Sequence, residues 1–486
     1  MRTALGFNAV VLVVASMAIF AGVSAEERSE SFDADPQWDG RNNRSQAFDA
    51  RSVVQDFGFS PTNHCRDGAG ELGGFITPAA EPAYYAKAIE PQSFDDRATA
   101  AGTFLATGRQ FHILVGFFNA DTLNEWRTPN TISLRLYGRG DVFYAYVEYC
   151  TAKWRAGGDN PRPFARTSDG ANGRRIPIEF ARSEPHSWTL EYDPGGNNGQ
   201  GVVTATIDGV QAVCHLDPGH RVDGAIFNRF GVQTVMKQVD SGGEVWIDDL
   251  KINGATEDFH RDPGWDSRNN RRRYETANVR PRFDFGHCLS QHAGGKRAGE
   301  IGGLVFRGDC RDENRMGYYG DRLQKLNLKK PLRASGRITL TRGVSDSTTL
   351  FGFFHSADSI KVSDSQSSGF PKNFLGIAIE GPSREGFFVY PAYRVASGES
   401  GWANAHGERH IYPNGKAHDW TLAYSPDADG GGAITVSLDR QTVRLVLPQG
   451  HRETETEFNR FGFVTTWIDG NGQHVYFDDL TYTWKQ

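Results

Sequence analysis

Two glutamates framed by glycines stand out as candidates for chemistry: Glu71 in Gly70-Glu71-Leu72-Gly73-Gly74 and Glu300 in Gly299-Glu300-Ile301-Gly302-Gly303. Glycine removes side-chain bulk, so a ligand or another strand can approach the backbone beside each carboxylate. A histidine lies shortly upstream of each glutamate, His64 and His292, and each follows an amide side chain, Asn63 and Gln291. Tyr146 and Tyr390, inside alternating runs, add a phenol to each set. A carboxylate, an imidazole and a phenol held within reach of one another can take and return a proton. The plainer alternative is a glutamate that ties down a loop at the start of a strand. Asp248-Asp249 and Asp478-Asp479 form a second recurrent acidic motif. Neighbours in a strand point to opposite faces, so at most one acid of each pair, Asp248 or Asp478, serves an internal site. There, with loop carbonyls and Asn or Asp oxygens, it can hold a calcium ion.

These residues belong to a duplicated framework. Phe227-Asn228-Arg229-Phe230-Gly231 recurs as Phe458-Asn459-Arg460-Phe461-Gly462, and Trp38-Asp39-Gly40-Arg41-Asn42-Asn43 recurs as Trp265-Asp266-Ser267-Arg268-Asn269-Asn270. Asp56-Phe57-Gly58 and Tyr84-Tyr85 have counterparts in Asp284-Phe285-Gly286 and Tyr318-Tyr319, in the same order. The chain therefore reads as two units of roughly 225 residues, each large enough for its own core. The spacing gives a first unit over 37–254, a linker over 255–263 and a second unit over 264–486. Residues 1–25, with Arg2 ahead of an apolar run and Val23-Ser24-Ala25 at its end, have the form of a secretory leader. Residues 26–36 then read as an acidic tether. The expected location is outside the cell or in its envelope. A formal charge of −6 argues against nucleic acid as a partner, and no later run is apolar for long enough to span a membrane.

Within each unit, short alternating runs separated by Gly, Pro, Asn and Asp read as strands, including 112–118, 132–137, 142–149 and 188–192 in the first and 374–379, 387–393 and 420–424 in the second. No amphipathic helix of ten residues or more is apparent. The fold class that follows is all-β, two tandem antiparallel sandwiches.

His186-Ser187-Trp188-Thr189-Leu190-Glu191-Tyr192 followed by Ile207-Asp208-Gly209 resembles a hairpin of the concanavalin A-like lectin/glucanase jelly rolls. His418 to Tyr424 with Leu438-Asp439 repeats it, with Arg440 in place of the glycine. A last strand bearing Asp-Asp-Leu resembles the laminin G-like members. The resemblance implies a sandwich whose concave sheet holds a polysaccharide or glycan, and adds weight to a structural calcium. It also implies a lyase option, with Asn63-His64 or Gln291-His292 neutralising a uronate and Tyr146 or Tyr390 moving the proton. The Glu-x-Asp-x-x-Glu strand of the retaining glucanases is absent, so a hydrolase would have to use Glu71 or Glu300 with another acid. On the central strands, Arg135, Tyr144, Tyr146 and Glu148, with Asn119 before them, form a polar-aromatic face suited to sugars. Tyr390, Tyr393 and Arg394, with Glu380 and with His355 in place of Asn119, are the second unit's version. A structural or adhesive module without a small-ligand site is the remaining alternative. Of the five cysteines, Cys150–Cys214 and Cys288–Cys310 are conceivable disulfides and Cys65 is the odd one.

Overall fold

The computed structural model describes residues 25–44, 50–66, 68–123, 126–158, 164–167, 173, 175–237, 239–276, 282–309, 311–361, 369–403, 410–467 and 470–486. The leader, apart from Ala25, and Cys310 lie outside the described residues. Four large antiparallel sheets stack in two pairs, each pair around its own core. The front sheet of the first pair runs Val142–Cys150, Thr131–Arg139, His112–Phe118, Ile226–Thr234, Tyr84–Ser93. Its back sheet runs Val210–His215, Val202–Ile207, His186–Asp193, Ala98–Ala106, Gly243–Ile252, Glu71–Ile76, Arg51–Ser60. In the second pair, Tyr318–Asn327, Glu457–Val464, Ser347–Phe354, Phe374–Ser383, Gly386–Arg394 and Ser400–Trp402 make the front. Asp284–Cys288, Glu300–Phe306, Gly472–Lys485, Leu332–Arg342, Ala417–Ser425, Ala433–Leu438 and Gln441–Val446 make the back. The cause is visible in strand His186–Asp193, where Trp188, Leu190 and Tyr192 are buried while Ser187 and Thr189 face solvent. One apolar face per strand drives two sheets together.

The opening segments do not pack where chain order suggests. Asp266–Arg268 and Arg271–Thr276 add to the first unit's front and back sheets. Asp39–Arg41 and Glu26–Glu30 add to the second unit's front and back sheets, at the opposite end of the chain. Residues 26–36, expected as a tether, therefore contain a strand, and residues 26–44 close the second sandwich rather than open the first. Phe32 and Trp38 are buried in the second core, and Trp38 meets Tyr319 at 5.7 Å just as Trp265 meets Tyr85 at 5.7 Å. The repeated arginines explain the repeated aspartates: Arg460 Nη2 lies 2.7 Å from Asp39 Oδ2, and Arg229 Nη2 lies 2.7 Å from Asp266 Oδ2. Asn43 and Asn270 donate to the carbonyls of Phe285 and Phe57 at 2.7 and 2.8 Å.

Cys150 and Cys214 are not bonded to each other: Tyr149 packs into the first core, so its strand neighbour Cys150 points to the outer face of the front sheet, whereas Cys214 packs against that core from the back sheet.

Candidate functional site

Glu71 is fully buried at the start of its back-sheet strand. It accepts hydrogen bonds from Thr62 Oγ1 at 2.7 Å, the His64 amide at 2.8 Å and the Cys65 amide at 3.1 Å. His64 Nδ1 lies 2.6 Å from the same carboxylate, and its ring stacks on Trp246 at 4.0 Å. Burial would raise the Glu71 carboxyl, but these donors together hold it below the usual range. Burial and the two nearby carboxylates push the Cys65 thiol up. Glu300 repeats the arrangement, accepting from the amides of His292 and Ala293 at 2.8 and 2.7 Å, with the His292 ring 4.4 Å from Tyr476. The flanking glycines admit the neighbouring strand and its rings, with a Cβ on Gly73 or Gly302 falling 2.1 or 2.3 Å from the carbonyl oxygen of Val245 or Val475. A Cβ on Gly73 would meet Trp246 at 2.7 Å, and one on Gly302 would meet Tyr476 at 2.7 Å.

These glutamates and histidines sit on the back sheets. Tyr146 and Tyr390 sit on the outer faces of the front sheets, with a whole sandwich between. The expected proton-transfer sets Glu71–His64–Tyr146 and Glu300–His292–Tyr390 are therefore not assembled. Asn63 is exposed on the His64 loop, and Gln291 donates to the Gly295 carbonyl at 2.6 Å. The acidic pairs also differ from expectation. A bulge after Asp248, with Asp249 at φ 51°, breaks the alternation. Arg66 then reaches both acids, with Nε 2.5 Å from Asp248 and Nη1 2.7 Å from Asp249. Asp478 is buried against Gly295, and burial followed by the charges of Asp479 and Glu300 lifts its carboxyl to about 6. The Arg66 guanidinium thus occupies the place a cation would take between Asp248 and Asp249. Among the described residues there is no group of three or more His, Cys, Asp or Glu arranged to hold a metal.

The front face of the first unit is partly covered, with Tyr137, Tyr144 and Tyr146 half-buried on it. Arg135 and Glu148, expected to meet a ligand, form an almost fully buried ion pair, and Trp126 Nε1 donates to Glu148 at 3.1 Å. Arg135 also meets His112 Nε2 at 2.6 Å and lies 4.2 Å over the Tyr146 ring. Trp126 packs with Leu114, Val235 and Val344, and Val344 comes from the second unit. Tyr144 remains half-buried at the edge, donating to Glu179 at 2.9 Å. Asn119 caps a short turn by accepting from the Asp121 amide.

The second unit keeps an opening on the same face. Tyr390, buried, donates from its hydroxyl to Glu380 Oε2 at 2.6 Å. Arg307 Nη2 reaches Glu380 Oε1 at 3.3 Å and Thr348 Oγ1 at 2.6 Å, while Nη1 reaches Asp346 at 3.3 Å. Burial and the Glu380 charge hold the Tyr390 phenol well above its ordinary range. Around this network lies a cavity of about 210 Å³ walled by Phe370 and Trp402. Arg307 and Glu380 also line an adjoining cavity of about 310 Å³ that reaches Arg127 of the first unit and Arg384. Trp402 is 45 % exposed, with its ring 5.8 Å from Phe370.

Other expected contacts are structural. Arg394 donates to the carbonyls of Gly398 and Phe370 at 3.0 Å and lies 4.2 Å over Trp467. Tyr393 points into the core, and its hydroxyl is 2.7 Å from His451 Nδ1. His355 accepts from the Asp358 amide at 3.2 Å. Sequence reasoning missed Arg307, Thr348, Phe370 and Trp402. The one available signal was Arg307 itself, a cation directly after the Glu300 strand where the first copy has Pro78.

No protein-family model and no curated protein matches the chain. Among solved structures, domains LG4-5 of the mouse laminin alpha1 chain match over 82% of this chain and 88% of that one, at 11% identity and a TM-score of 0.21. An alginate lyase from Pseudomonas aeruginosa matches over 40% and 85%, at 10% identity and a TM-score of 0.25. An endo-beta-1,4-glucuronan lyase from the fungus Trichoderma reesei matches over 45% and 97%, at 11% identity and a TM-score of 0.24. Scores this low bear on neither ligand nor activity.

Proposed function

We propose that the protein is an exported carbohydrate-binding protein whose glycan site is the front-sheet cleft of the second unit. The observation that carries this reading is the exposed Trp402 at a cleft whose floor is the Arg307–Glu380–Tyr390–Thr348 network. Sugars offer an apolar CH face to an indole and hydroxyls to fixed planar polar groups, and ligand sites typically combine aromatic walls with a few placed polar side chains. Arg307 and Glu380 offset each other in charge, which favours a neutral saccharide. Trp126 and the Arg135–Glu148 pair fill much of the corresponding face of the first unit, which leaves it a supporting role. Export follows from the form of residues 1–25.

Binding without turnover is the expected behaviour, since Tyr390 is 4 % exposed and its hydroxyl is committed to Glu380. The test is a glycan array with the full mature chain and its Trp402→Ala variant, followed by assays for reducing-end release and unsaturated product. Loss of one stacking ring should weaken the best ligand about tenfold. Unchanged binding by Trp402→Ala would sink the site, and silence across the array would return the protein to a purely structural role.

A further inference from the structure

A separate cleft of about 720 Å³ opens between the two units and shares no lining residue with the Trp402 cleft. The first unit contributes Lys153, Arg155 and Asp223, and the second contributes Lys416, His418 and the turn Asp439-Arg440. Four cations here face two carboxylates, in a chain whose formal charge is −6. Both carboxylates are already engaged. Asp223 is held by Arg155 and has Lys153 Nζ at 3.6 Å, while Asp439 lies 2.8 Å from His418 Nδ1. Four cations against two carboxylates leave the cleft net positive, with Lys416 and Arg440 exposed on the second unit's side.

Two comparisons between the units point to a ligand. In the first unit, His186 Nε2 lies 2.8 Å from the Ala181 carbonyl. In the second, the equivalent His418 is buried to the same degree and its Nε2 has no hydrogen-bond partner. A buried ring nitrogen left unmatched costs stability unless something satisfies it. The hairpin turn that reads Asp208-Gly209 in the first unit reads Asp439-Arg440 in the second. The turn has exchanged its usual glycine for a guanidinium that lines the cleft, a planar donor suited to a bidentate oxyanion.

We infer that this inter-unit cleft binds an oxyanion, a sulfate or carboxylate group, held by Arg440 and Lys416, with His418 beneath donating from Nε2 as the imidazolium, since its Nδ1–H is given to Asp439. The group can be free or carried on a saccharide chain. The site is independent of the Trp402 cleft and survives if that assignment fails.

The experiment measures binding of the full mature chain to dextran sulfate and to neutral dextran of matched length, with inorganic sulfate as competitor. The wild type should bind dextran sulfate, more weakly as salt rises, and should not bind neutral dextran through this cleft. The double variant Lys416→Ala/Arg440→Gly should lose about tenfold or more in affinity, while Trp402→Ala should retain it. Both substituted residues are exposed and glycine is the first unit's own turn residue, so the double variant should melt as the wild type does. Competition by inorganic sulfate would support the site and identify a free anion as sufficient. Failure to compete alongside a weakened double variant would support it as a site for chain-borne sulfate. Equal dextran sulfate affinity in wild type and double variant would overturn the inference, as would tight binding of neutral dextran abolished by the same substitutions.

Discussion

Replacing Trp38 by alanine should destabilise the half of the protein furthest from it in sequence. The indole is 8 % exposed within the second core, edge-on to Phe32 at 5.3 Å and to Tyr482 at 6.1 Å. Truncating a buried Trp typically costs about 3–5 kcal/mol in lost transfer energy and residual cavity. For a unit of roughly 200 residues, each kcal/mol moves the melting temperature about 2–4 °C, so a fall on the order of 10 °C is expected for the second unit. Asp39, the next residue, would be held less firmly against Arg460. Burial alone would raise its carboxyl, but that guanidinium keeps it below its ordinary value. Hydrogen exchange resolved by peptide is the assay, because it reports each sandwich separately. Protection should fall across 283–486 and persist across 51–276. Trp265→Ala should give the mirror result with a smaller loss, since Trp265 is only half-buried. If Trp38→Ala instead loosened 51–276, the crossed closure of the two sandwiches would be refuted.

Two acid-range predictions follow from the glutamate and aspartate motifs. Because the Glu71 carboxyl is held below 4.5 in the folded protein, its contribution is complete above that pH and is lost as pH falls through the folded value. Glu71→Gln should cost about 1–3 kcal/mol near neutrality and flatten the acid side of a melting-temperature profile; an unaltered profile would remove the loop-anchoring role. Asp478 behaves oppositely. It keeps its proton to about 6 when folded against 3.8 when free, so the folded state binds more protons in that window and stability declines as pH rises through it. Asp478→Asn should abolish that decline when melting is compared at the two ends of the window, and an identical trend in wild type and variant would contradict the assignment.

The strand runs, the duplication and the sandwich class were legible because alternation and turn residues are local properties, as in Trp188, Leu190 and Tyr192 against Ser187 and Thr189. Even the bracing arginines could be suspected, since Arg229 and Arg460 recur between the same phenylalanines. Which carboxylate they brace could not, because Asp39 and Arg460 are brought together only when the chain's first strands cross to its last sheet. The same limit applied to the chemistry. Glu71, His64 and Tyr146 look like a set when written on a line, yet a sheet pair has two outer faces and sequence does not say which residues share one. By itself the sequence determined the local periodicity of each strand and the order of the repeated motifs. Only the tertiary structure decided that Trp126 and Val344 cover one front sheet while Trp402 stays open beside the other, because coverage depends on long-range packing between loops and units.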